Sequence, residues 1–173
     1  MKTGPILLLF LISASFGQTD SASKSHSATL TVELRTSSTR VHLSDDMVLT
    51  VLFRSPDQDT TIWNALGWGP AVGLSLHVWD SSGHEVENGF APFFHPLPPD
   101  LTGRNALITI GGNVFAGFDD RIQVKSLFPK PGRYRLYCGY LPPLSRHYFQ
   151  GQTIWGKEDG PVGSAPISVL VEE

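Results

Sequence analysis

The run Pro131-Gly132-Arg133-Tyr134-Arg135-Leu136-Tyr137-Cys138-Gly139-Tyr140 constrains the fold of this chain more than any other stretch. A Pro-Gly turn opens it. Tyr134, Leu136 and Cys138 then share one side, and Arg133, Arg135 and Tyr137 the other. Successive side chains of an extended backbone point to opposite faces, so this is a strand with one face buried and one in water. A slip of one residue would turn the whole apolar set outward, so its register is strongly specified. The set expected in the core is Tyr134, Leu136 and Cys138 with Leu49, Val51, Leu76, Val124 and Val169.

The same alternation recurs along the chain. Leu30, Val32 and Leu34 alternate with Thr31, Glu33 and Arg35. Asp45-Asp46 mark a turn before Met47, Leu49, Val51 and Phe53. Leu74, Leu76 and Val78 alternate with Ser75, His77 and Trp79, and Asp80-Ser81-Ser82-Gly83 closes that strand with turn residues. Ala106–Ile110 and the pair Ile122 and Val124 mark two further strands, and Pro166–Val171 the last. Asn88–Gly103 carries four prolines and fits neither a helix nor a central strand. No stretch keeps a 3.6-residue apolar period over three turns, so no long helix is expected outside the apolar N-terminal segment. About seven short strands separated by turn signals predict an all-β, antiparallel sandwich.

Gly132-Arg133-Tyr134-Arg135-Leu136 resembles the start of the sixth strand of immunoglobulin-like and fibronectin type III domains. That resemblance implies a tyrosine corner, in which the Tyr134 hydroxyl turns back to a nearby backbone group. It covers Leu30–Glu172 loosely, and it speaks to architecture and not to activity. Two departures stand out. Leu136 occupies the place of the second disulfide cysteine of antibody-type domains. Trp79 has the parity opposite to the buried residues of its strand.

Residues 1–17 have the pattern of an export signal. Lys2 precedes the apolar run Ile6–Ile12, and Ser15-Phe16-Gly17 places small residues at a cleavage site. The expected organisation is a signal at 1–17, a Ser-rich flexible linker at 18–28 and one sandwich domain at 29–173. The mature protein is expected in the periplasm or outside the cell, without a stable membrane anchor. A single cysteine excludes an intrachain disulfide, and the net charge of -3 with no basic run argues against nucleic acid as a partner.

Motifs that carry chemistry fail on context. Gly73-Leu74-Ser75-Leu76-His77 lacks the final glycine of a nucleophile elbow and lies in a strand. Gly67-x-Gly69-x-x-x-Gly73 misses the dinucleotide fingerprint by one residue. The six histidines show no metal-ligand spacing. Asp57, Asp59, Asp119 and Asp120 read as solvated turn carboxylates rather than a cation site, and His77 with Trp79 as a surface pair. Cys138 reads as a small buried hydrophobe. No metal and no cofactor are expected, and no catalytic set points to an enzyme.

Aromatic residues are concentrated in two long connections. Arg54–Gly73 and Leu141–Ser164 hold Trp63, Trp68, Tyr148, Phe149 and Trp155, and the resemblance places these connections at one end of the sandwich. Two arrangements are open: the rings bind a partner, or they fold back and plug that end. The reading is a non-enzymatic binding or assembly module for a protein, peptide or carbohydrate. One alternative is an inhibitor presenting the Phe90–Pro99 loop, since some exported inhibitors are similar sandwiches. Another is a small hydrolase or metal-dependent enzyme joining His95 or His147 to Asp57, Asp59 or Asp119.

Overall fold

The computed structural model describes residues 29–63, 67–69, 73–87, 107–112 and 114–173. The expected export signal, the linker and the Phe90–Pro99 loop lie outside them. The chain order is β1 (Thr31–Thr36), β2 (Arg40–His42), β3 (Asp46–Arg54), β4 (Thr60–Trp63), β5 (Leu74–Asp80), β6 (Leu107–Ile110), β7 (Phe115–Gln123), one helical turn (Val124–Leu127), β8 (Gly132–Tyr140), β9 (Val162–Gly163) and β10 (Ile167–Glu172).

The first sheet has the order β1-β3-β7 and the second β2-β10-β8-β5, with β9 also on β8, and β4 and β6 form a separate two-stranded sheet. The inner faces of the first and second sheets meet in one core. Val32, Leu34, Leu49, Val51 and Ile122 come from the first sheet, and Val78, Leu136, Cys138, Val169 and Val171 from the second. The fold is an immunoglobulin-like β-sandwich, antiparallel apart from the β2–β10 pairing, which is parallel. The strand alternation explains the layers: β1, β8 and β10 each bury one side and wet the other, and β3 does so except at its end, where Leu52 is buried as well.

Tyr134, Leu136 and Cys138 are buried as expected, and Tyr140 continues the row. The Tyr134 hydroxyl donates to the Lys130 carbonyl at 2.8 Å, so the tyrosine corner is present. Phe128 packs against the Tyr134 ring at 4.7 Å between centroids, beneath the turn that opens β8.

Several expectations need correction. There are ten strands among the described residues rather than about seven. The extra ones are β2 and the short strands β4 and β9 inside the long connections. Asp46 belongs to β3, and the turn before it is at Leu43-Ser44. Val124 is buried but opens the helical turn instead of marking a strand: its N–H donates to the Asp45 carbonyl and its carbonyl accepts from Phe128. Leu76 is half-buried at the border of the core.

Burial pushes the Cys138 thiol up to about 12. Its strand neighbours leave it no route to solvent in the native state. The expected outcome with a water-soluble disulfide reagent at pH 8 is no reaction in the folded protein and one thiol per chain after denaturation. Stoichiometric reaction of native protein within minutes would place Cys138 at the surface.

Candidate functional site

The two aromatic connections do meet at one end of the sandwich. The Leu141 N–H donates to the Gly73 carbonyl at 2.6 Å, and the Trp155 N–H to the Thr61 carbonyl at 2.7 Å. Gly73 has φ +78, a backbone state that favours glycine, and a Cβ there would overlap the Leu141 carbonyl oxygen. The close approach of the two connections therefore requires this glycine.

The second connection is braced internally. The Arg146 guanidinium pairs with the Asp159 carboxylate, and the Asp159 Oδ2 also accepts from the Gly156 N–H at 2.8 Å. The Arg146 backbone N–H donates to Glu158 and holds its carboxyl below the usual carboxylate range. Gly156 is needed because the Arg146 backbone lies against it. These bonds give the long loop a fixed shape.

The five aromatic candidates divide into two groups. Trp68 and Trp155 pack against the core from outside. The Trp68 indole N–H donates to Asp120 Oδ2 at 3.0 Å, and its ring meets Phe118 edge to face at 5.5 Å. Asp120 has the inward parity of β7, opposite Leu49. Trp68 thus covers the open edge of the β1-β3-β7 sheet and satisfies the carboxylate there, which is the plugging arrangement. Trp63, Phe149 and Tyr148 form a row instead. Trp63 stacks on Phe149 at 6.0 Å, Tyr148 meets Phe149 edge to face at 5.1 Å, and Tyr148 is 62% exposed. The indole N–H groups of Trp63 and Trp155 are buried and have no acceptor. A buried donor left unpaired costs about 1–3 kcal/mol.

Residues of both connections also line a groove of about 710 Å³. Its walls include Trp68, Leu74, Leu76, Leu141, Pro142 and Pro143, and Leu141 is 60% exposed. The volume and apolar lining fall within the range of ligand clefts. Leu141-Pro142-Pro143 follow directly on the last residue of β8. Their signal in the sequence is an apolar run that continues past the end of a strand into a proline-bounded loop.

Among the described residues, those of the enzyme alternative form no common cluster. His147 is exposed, and His95 lies outside the described residues. Asp119 accepts from the Thr50 hydroxyl, Asp120 from Trp68, and Asp59 lies over Gly111. Among the described residues no group of three or more His, Cys, Asp or Glu is placed to hold a metal ion. His77 and Trp79 stack on the outer face of the second sheet at 5.8 Å, with Tyr137 beside them.

No family model matches this chain, and no curated protein matches it. Among solved structures, the chain is similar to the CARDB domain of a Pyrococcus furiosus protein, crystallised in complex with di-metal ions. The identity is 11%, the match covers 84% of this chain and 89% of that one, and the TM-score is 0.36. Nothing about the site of this chain follows from a likeness of that degree.

Proposed function

We propose that this protein is an exported binding module of immunoglobulin-like fold, and that its contact surface lies where connections 54–73 and 141–164 meet. The observation that carries this reading is the apolar groove of about 710 Å³ between them, open to solvent at Leu141. Exposed apolar walls cost free energy in water, and a partner that covers them recovers it. The row Trp63, Phe149 and Tyr148 adds large, stiff contact area on the same two connections. The apolar walls favour a protein or peptide segment that inserts apolar side chains. Trp68 and Trp155 act as supports under this surface.

The test compares capture by the immobilised mature domain with capture by Leu141→Asp and Tyr148→Ala. Both residues are exposed, so each variant is expected to melt within ~0.5 kcal/mol of the parent. Each is expected to weaken a captured partner by about 2 kcal/mol. Capture unchanged in both variants would move the contact surface elsewhere. Export is checked by the intact mass of the secreted material: a mature chain starting at or near Gln18 is expected, and retained Met1 would refute the signal.

A further inference from the structure

We propose that Ser75, His77 and Glu85 form a nucleophile–base–acid relay whose Ser75 lines the groove, and that Ser75 takes an acyl group from esters with an apolar acyl chain. The Ser75 Oγ lies 2.9 Å from His77 Nε2, and the His77 Nδ1 lies 2.6 Å from Glu85 Oε1. The two ring nitrogens are thus used by the two different partners that such chemistry needs. A carboxylate can only accept, so Nδ1 carries the proton and donates to Glu85. Nε2 is then bare and accepts from the Ser75 hydroxyl. The alternative acceptor for that hydroxyl, the Gly139 carbonyl, is farther away at 3.3 Å.

The arrangement is built by local structure. Ser75 and His77 are two apart on β5 and so share its outer face. Glu85 arrives through the turn after Asp80. Asp80 Oδ1 accepts from the backbone N–H groups of Ser82 and His84, and Glu85 forms a bridge opposite Trp79. The His77 ring packs in a cluster with Trp79 at 5.8 Å and Tyr137 at 5.9 Å, which also touch each other. Ser75 is exposed and lines the groove with Leu74, Leu76 and Leu141. Lys157 lines the same groove, and among the described residues it forms no ion pair. Its charge suits the oxyanion that develops when a carbonyl is attacked.

In the reaction, Ser75 Oγ bonds to the ester carbonyl carbon and passes its proton to Nε2. The ester C–O bond breaks, and the leaving alkoxide takes that proton. Water then attacks the acyl-serine and gives a proton to Nε2. The acid leaves as Ser75 Oγ recovers the proton. The substrate class rests on the groove being a ligand site, as proposed above, whereas the relay does not.

The test uses methyl and octyl fluorophosphonates, which form an Oγ–P bond and release fluoride. The full mature chain is treated, and the modified residue is found by peptide mass. One label per chain on Ser75 is expected, with none in Ser75→Ala. Labelling in His77→Gln and Glu85→Gln is expected to slow by about 100-fold or more, while Ser168→Ala, away from the relay, labels like the parent. No label on Ser75, or a Glu85→Gln variant labelled as fast as the parent, overturns the relay. Equal rates for the two chain lengths on a labelled Ser75 overturn the apolar-acyl assignment. The Leu141→Asp capture experiment reads the groove as a partner site independently of either result.

Discussion

Leu136→Ala is expected to destabilise the protein by about 2–5 kcal/mol, the cost of a large cavity in a packed core. Leu136 has no exposed surface. It lies in the middle of β8, paired with Val78 on one side and Ile167 on the other. Strands on both sides hold its backbone, so the site has little freedom to collapse around a smaller side chain. At this chain length each kcal/mol shifts the melting temperature by about 2–4 °C. A thermal or urea melt therefore reads the effect directly. A loss below ~1 kcal/mol would mean that the register of β8 is wrong and that the opposite face is the buried one.

Gly73→Ala is expected to cost a comparable amount for a different reason. The φ of +78 at Gly73 is unfavourable for any residue with a Cβ, by roughly 1–2 kcal/mol. The new methyl group would also overlap the Leu141 carbonyl oxygen, and overpacking of this kind adds ~1–3 kcal/mol. Relief requires the connections 54–73 and 141–164 to separate, which opens the groove as well as weakening the fold. Gly67→Ala is the control, because nothing lies within 4 Å of a Cβ at that position. Urea titration is expected to show a loss of about 2–5 kcal/mol for Gly73→Ala. The Gly67 variant is expected near the parent. Equal midpoints for the two variants would mean that the connections are not joined at Gly73.

The strands with a strict buried alternation were legible in the sequence. β3, β8 and β10 each place three or more apolar residues two apart, and β1 carries on from Leu30 with Val32 and Leu34, so burial selects that pattern directly. β2 was not legible, because Arg40-Val41-His42 buries only Val41 and depends on β10 for its pairing. β4 and β6 form a hairpin-like pair whose strands are separated by a whole strand and a proline-rich segment, so neither suggests the other. The first half of β7 was hidden by Gly117, Asp119 and Asp120. Asp120 occupies an inward position, and only the approach of Trp68 makes that affordable. At the site, the aromatic content of the two connections was visible, but which rings support and which protrude depended on hydrogen bonds between distant loops. Ser75 and His77 were visible as a pair on one strand. Glu85 could not be joined to them without the path of the chain through the Asp80 turn.

The placement of β10 has a consequence for how the molecule is made. β10 lies between β2 and β8, so the second sheet has a gap until this late strand arrives. Leu170 pairs with Arg40, and a contact this distant in sequence is slow to form because a large loop must close first. During synthesis β2 and β8 are complete while β10 is still to come, and each exposes an unpaired edge. A chain cut between Tyr140 and Ile167 would keep those edges permanently. The quality of the whole molecule is therefore decided by its final strand: fragments lacking it should aggregate or be degraded rather than persist as a smaller working domain.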